Sequence, residues 1–222
     1  MKKLVLVLVL AALVAGGAFA QIEMSVGGGG ILDMSFGNGI KDKDNTYGNN
    51  NTSFGGFVFF DITYAQIEVD YLYGSLEQTF NGVKVSGWKG TFNQFGIGLL
   101  GKYPIDLGAV TLFPLIGINY NMVMSYEQNG VKYTGYWANS VDGYKLYKIS
   151  EYFSQLGILA GLGFDIGITE QIFIRAEALF QLRLPNKGMK DRAEYWDKVY
   201  NDTNTTTLGL GPRIKIGVGY KL

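Results

Sequence analysis

Glu68 and Asp70 stand two residues apart, and the pairs Arg175 with Glu177 and Arg213 with Lys215 repeat that spacing. Side chains at i and i+2 of an extended strand share a face, so each pair points into one environment. Two carboxylates on one face are the minimum for acid–base chemistry of the kind that hydrolyses a glycosidic bond. Inside a barrel the same pair serves as structure. Composition removes most other chemistry, because the chain has no His and no Cys. A Ser-His-Asp arrangement and a His-based zinc site both need an imidazole. Cys nucleophiles, thiolate metal sites and disulfides are ruled out directly. The sequence therefore predicts no catalytic residue, no metal ligand and no cofactor, and the chain reads as a non-enzyme.

Two glycine strings look like nucleotide motifs and are not. Gly96-Ile97-Gly98-Leu99-Leu100-Gly101 fits G-x-G-x-x-G, but the dinucleotide motif requires a helix opening at the glycines. Here Lys102, Tyr103 and Pro104 follow, and the glycines extend a strand. Gly27 to Gly30 lack the Lys-Ser/Thr of a phosphate loop. Both strings read as packing features. With 19 basic and 19 acidic residues and no basic run, nothing points to nucleic acid.

The elements that position the paired charges have a period of two. From Leu208 to Leu222, Leu208, Leu210, Ile214, Ile216, Val218, Tyr220 and Leu222 share one face; Gly209, Gly211, Arg213, Lys215, Gly217, Gly219 and Lys221 share the other. Residues 172–184 and 156–168 repeat the pattern, and similar strands fall at about 22–36, 54–64, 65–77, 91–103 and 109–125. That makes eight. Short turns at Tyr64-Ala65, Pro104 to Gly108 and Thr169 to Gln171 alternate with longer polar segments at about 37–53, 78–90, 126–150 and 185–204. Pro114 and Pro212 fall inside strands and each removes a ladder donor, which predicts a β-bulge at each.

The alternation alone does not say which face points outward, and a soluble periplasmic barrel would turn its apolar face inward; the composition of the minor face favours the transmembrane reading. That face is built of Gly and charges, whereas a solvated strand face carries Thr, Lys or Glu, and Gly weakens a strand. Small residues beside large ones suit the narrow inside of an eight-stranded barrel. The apolar face then meets lipid, where only a closed barrel satisfies every backbone group without a spanning helix. Lys2 and Lys3, the apolar stretch Leu4 to Val14 and the ending Ala18-Phe19-Ala20 read as an export signal. The expected organisation is a cleaved signal peptide at 1–20 and one transmembrane barrel at 21–222. Tyr64, Tyr103, Phe164 and Tyr220 fit a lower aromatic belt, and Tyr120 and Phe180 an upper one.

The signal sequence, the eight two-period strands and the terminal Gly219-Tyr220-Lys221-Leu222 resemble the small eight-stranded outer-membrane barrels of the OmpA-transmembrane, OmpX and OmpW group. The resemblance spans nearly all of residues 21–222 and is architectural, with no diagnostic motif. It implies a single eight-stranded antiparallel barrel, an up-and-down meander in a bacterial outer membrane, surrounded by lipid and monomeric.

By parity the lumen receives Glu23, Asp33, Asp61, Glu68, Asp70, Asp165 and Glu177 against Lys102, Arg175, Arg183, Arg213, Lys215 and Lys221. Charges out of bulk water need partners, so a near-balanced set reads as an ion-paired plug or as a gated polar path. Phe57, Phe59, Leu72, Phe113, Leu115 and Leu159 also face inward, as filling or as a pocket for small hydrophobic solutes. Tyr133, Tyr136, Trp137 and Tyr144 crowd the third long segment, and Tyr195 and Trp196 the fourth. Aromatics among polar residues favour contact with partners, which suggests adhesin-like binding of an extracellular ligand. The alternative is a narrow channel, or a transporter of small hydrophobic solutes, through the lumen.

Overall fold

The computed structural model of the chain describes residues 23–139, 145–200 and 204–222. The expected signal sequence, residues 1–20, lies outside them. Eight long strands form the wall: β1 Met24–Lys41, β2 Thr46–Ile62, β3 Ala65–Phe80, β4 Val83–Lys102, β5 Val110–Gln128, β6 Gln155–Gly167, β7 Ile172–Arg183 and β8 Gly209–Lys221. Each pairs antiparallel with its neighbours in sequence, and β8 pairs with β1 to close the ring. The chain is thus an all-β, eight-stranded up-and-down barrel with no free edge around its girth.

One row of partners fixes the stagger. Val26 lies across from Phe60, then Ile67, Leu99, Ile118, Ile158, Leu182 and Leu210, and Leu210 returns to β1 at Phe36, ten residues along from Val26. With strands about 4.8 Å apart and a rise of about 3.3 Å per residue, that stagger tilts the strands by about 40°. Every member of the row is apolar and points outward. The wall outside is a continuous apolar surface, with Val58, Ile97, Ile116, Ile118, Leu162 and Ile216 among its exposed residues. Tyr64 and Tyr103 stack at 6.2 Å beside the lower turns.

The strands are unequal. A membrane crossing takes roughly 9–11 residues. β6, β7 and β8 have 13, 12 and 13 residues, whereas β1 to β5 have 18, 17, 16, 20 and 19. The surplus rises as a sheet on one side of the mouth. Two expected long segments are therefore mostly strand. Residues 37–53 shrink to a turn at 42–45, in which the Asp42 carboxylate accepts the Asp44 and Asn45 N–H groups. Those bonds, that from Asn45 first, hold the Asp42 carboxyl below the usual carboxylate range. Residues 78–90 shrink to Asn81-Gly82, with φ of 48° and 79°, a two-residue hairpin turn of the kind that needs left-handed backbone.

The other two long segments are not purely loop. Residues 149–152 form a single helical turn, α1, and α2 spans Lys187–Tyr200. α2 starts where Asn186 accepts the Met189 N–H at 2.8 Å, an N-cap. Its Met189, Ala193 and Trp196 recur at helical spacing, and Glu194 pairs with Lys198 one turn on at 2.7 Å.

The expected bulges are not at the prolines. Pro114 keeps register with Leu162 across β6. On its other side β4 has just ended, and the Pro114 carbonyl accepts the Tyr103 N–H at 3.3 Å, so the missing donor falls where the ladder stops. Pro212 keeps register with Phe180. The bulge nearest it lies in β1, between Ser35 and Asn38, where Gly37 takes a φ of 77°.

Candidate functional site

The interior is the densest collection of charge in the molecule. The pleat of β3 turns Gln66, Glu68 and Asp70 inward, and their partners in β4 include Gly98 and Gly96. A Cβ at Gly98 would sit 2.6 Å from Glu68 Cγ, and one at Gly96 would sit 2.6 Å from Asp70 Oδ2. The Gly-x-Gly string is thus a notch that admits two carboxylates.

From β8 come Arg213 and Lys215, from β7 Arg175, Glu177 and Arg183, from β4 Lys102, from β2 Asp61, from β1 Asp33 and from β6 Asp165. They form one chain of contacts along the barrel. At the lower end Lys102 meets Asp61 at 2.6 Å, and Arg175 meets Asp61 at 2.7 Å and Asp165 at 2.6 Å. The Arg175 guanidinium lies over the Phe59 ring at 4.1 Å. Gln66 ties the levels together, donating to Glu177 at 3.0 Å and Glu68 at 3.2 Å while accepting from Arg175 at 3.2 Å. Higher up, Lys215 donates to Glu177 at 2.9 Å and also to Glu68. Arg213 then contacts Asp70, lies 3.3 Å from Asp33 and 3.6 Å from Glu68, and Arg183 meets Asp33 at 2.5 Å. The side chains of Arg175, Arg183, Arg213 and Lys215 are at most 2% exposed.

Two of the charges placed inward by parity do not join. Glu23 and Lys221 are exposed. They flank the two ends of the strand wall at its lower rim, where water solvates them. Sequence reasoning also passed over Gln66, although it shares the parity of Glu68 and Asp70.

Apolar side chains fill the space between the charges. Phe57, Phe59 and Leu72 pack with Ile31 and Phe173, and Phe113, Leu115 and Leu159 pack with Leu100 and Leu179. At the mouth a third cluster packs: Phe92, Val123 and Tyr126 surround Ile149 of α1, with Leu76, Tyr133 and Phe153 against it. Tyr126 and Phe153 stack at 4.9 Å.

The loop aromatics divide accordingly. Tyr133 joins the mouth cluster, and Tyr136 is exposed. Trp137 lies across from Tyr147 in a small hairpin of Tyr136–Asn139 with Lys145–Lys148. Tyr144 lies outside the described residues. Tyr195 is half-buried on α2. Trp196 packs edge-on against Tyr47 at 5.2 Å, and Arg192 covers its face at 4.7 Å. Among the described residues no group of three or more His, Cys, Asp or Glu side chains could hold a metal ion.

An apolar, lipid-compatible wall around a charged, ion-paired interior defines a class by architecture: the chain is built as a small transmembrane β-barrel is built. No protein-family model matches the chain, and no curated protein sequence does. Three solved structures are similar to it. Neisserial surface protein A is 12% identical, with 90% of this chain and 97% of that one covered and a TM-score of 0.46. Ail, the attachment invasion locus protein of Yersinia pestis, solved with the heparin analogue sucrose octasulfate, is 12% identical over 91% of this chain and 100% of that one, with a TM-score of 0.41. A major outer membrane protein from Thermus thermophilus gives the same 12%, 91%, 100% and 0.41.

Proposed function

We propose that this barrel acts at the cell surface through its extracellular segments, in a structural or adhesin-like role, and that its lumen does not carry solute. The observation that carries this reading is the filling of the interior. A water path along the axis would have to part the Arg213–Asp70 and Lys215–Glu68 pairs, whose side chains are 0% exposed, and then displace Ile149 at the mouth. What reaches the outside instead is the sheet formed by the upper ends of β1 to β4, the hairpin carrying Tyr136, and α2.

The test is single-channel recording of the refolded protein in a planar bilayer, run beside binding of whole cells to a host or matrix surface. Silence from protein shown to be folded by heat-modifiable migration, with binding that vanishes when residues 126–150 are deleted, supports the surface role. Reproducible conductance steps that survive the same deletion would overturn it in favour of a narrow channel.

A further inference from the structure

The outer wall is grooved where β1, β2 and β3 meet. On β2 and β3 the outward cross-strand pairs run, from the middle of the wall upward, Val58 with Val69, Gly56 with Tyr71, Phe54 with Tyr73 and Thr52 with Ser75. Gly30 of β1 lies across from Gly56 on its other side. Two adjacent strands therefore present no side chain at this crossing. A groove of about 550 Å³ opens there, lined by Phe54, Gly56, Val58, Tyr71, Tyr73 and Phe95.

The fold does not demand these two glycines. Neither has a positive φ. A Cβ at Gly56 would come no closer than 3.6 Å, to Gly29 O, and one at Gly30 no closer than 4.0 Å, to Gly55 O, both ordinary contacts. Their neighbours differ. A Cβ at Gly28, Gly29 or Gly55 would press to 2.8, 2.1 or 2.0 Å against a strand carbonyl. Glycine weakens a strand, so the room left at Gly30 and Gly56 serves something outside the wall.

What fills it follows from what surrounds it. The groove is continuous with the apolar face of the barrel, and Asp70, on β3 beside it, points into the lumen. From Val69 to Tyr73 is roughly 13 Å along the strand. That is comparable with one leaflet, half of a hydrocarbon core about 30 Å thick. Phe54 meets Tyr73 edge-on at 5.9 Å at the upper end, where the polar pair Thr52 and Ser75 follows. The next outward charges above, Glu77 and Lys89, lie across from each other and cancel. The site thus suits an apolar chain and does not select a charged headgroup.

We propose that the groove over Gly30 and Gly56 holds one acyl chain of a phospholipid from the leaflet on the loop side, with the headgroup at the level of Thr52 and Ser75. The proposal rests on the wall standing in lipid. A chain that leaves bulk lipid for the groove gains packing contacts and no release from water, so the preference is several-fold.

The test uses the whole barrel refolded in phosphatidylcholine vesicles doped with phosphatidylcholine that carries a diazirine in one acyl chain. After illumination, mass spectrometry should find several-fold more label on Phe54 and Tyr71, 62% and 55% exposed, than on Tyr120 and Phe180, 48% and 54% exposed elsewhere on the upper wall. Gly56→Leu should refold with its urea midpoint unmoved or raised, and should bring the groove's label down to that of Tyr120 and Phe180. Ala178→Leu, on β7, should change neither. Even label on all four aromatics, or undiminished label in Gly56→Leu, overturns the proposal. So does a Gly56→Leu chain that cannot refold, because the wall then needs the glycine. Absence of label on Tyr120 and Phe180 as well would remove the lipid-facing wall itself, and the groove's occupant with it. Disulfide-linked dimers of Gly56→Cys, in a chain with no other cysteine, would give the groove to a second copy instead.

Discussion

The middle of the barrel and its mouth are both filled by side chains, of opposite kinds. In the middle, cations from β8 and β7 meet carboxylates from β1, β2 and β3, so every contact joins strands locked by ladders on both sides. At the mouth the filling is apolar: Ile149, carried by a helical turn of four residues, packs among Phe92, Val123 and Tyr126. Ion pairs in a dry interior are strict in geometry and costly to break singly. An apolar plug on a short helical turn opens by local unfolding of few residues. The difference teaches which part is tied to the barrel wall: the charged middle joins strands across the lumen, whereas the mouth rests on one helical turn.

The sharpest way to break that contrast is to remove the hub of the middle. Arg213→Leu leaves Asp33, Glu68 and Asp70 without their shared guanidinium, and should cost about 3–5 kcal/mol or prevent refolding, read by urea unfolding and heat-modifiable migration. A loss below about 1 kcal/mol would put the middle and the mouth on the same footing. Next in size is a test of the wall itself. Ile118 is 50% exposed at the centre of β5, and Val83 is 71% exposed at the top of β4. Ile118→Lys should cost about 2–4 kcal/mol because its side faces hydrocarbon, and Val83→Lys should stay within about 0.5 kcal/mol because it stands in water. Equal effects would mean that the apolar wall is not in lipid.

The same division governs what was legible in the sequence. Within the membrane one face is apolar and the other is not, so Ile214, Ile216 and Val218 alternating with Arg213, Lys215 and Gly217 announce a strand and its inside at once. The inward parity of Arg175, Glu177, Arg213 and Lys215 was readable for that reason. Their partners were not, because a stagger of ten residues decides that Lys215 meets Glu68 and that Arg183 meets Asp33, and no local pattern encodes it. Above the membrane both faces of a strand are polar, so Asn49-Asn50-Asn51-Thr52-Ser53 carries no alternation, although the backbone ladder continues through it. The Asn81-Gly82 pair was a hairpin signal in plain view. α2 was legible too, in the Asn186 cap and the spacing of Met189, Ala193 and Trp196, once the segment is not read by its polarity alone.

The mouth is sharpened by Ile149→Ala. Burial at 1% exposure makes the truncation worth about 2–5 kcal/mol at the site, but the cluster can open without the wall. Hydrogen exchange should therefore rise across residues 147–154, with the urea midpoint of the whole barrel nearly unmoved. A global fall as large as that of Arg213→Leu would show that mouth and middle unfold as one unit, and would remove the mouth as a separate moving part.

The smallest expected effect tests the sheet that rises beside the mouth. Gly82 holds a φ of 79° and has nothing within 4 Å of where a Cβ would be, so Gly82→Ala adds backbone strain and no clash. Left-handed backbone costs a non-glycine residue about 1 kcal/mol. If the upper ends of β3 and β4 are coupled to the barrel below, that strain lowers the urea midpoint. The pairing between them already slips between Glu77 and Thr79, which separates the tip from the continuous ladder beneath. The strain should consequently stay local, appearing as faster exchange at residues 79–84 with the barrel's midpoint unchanged, and with contact to any surface partner weakened only where that partner touches the tip.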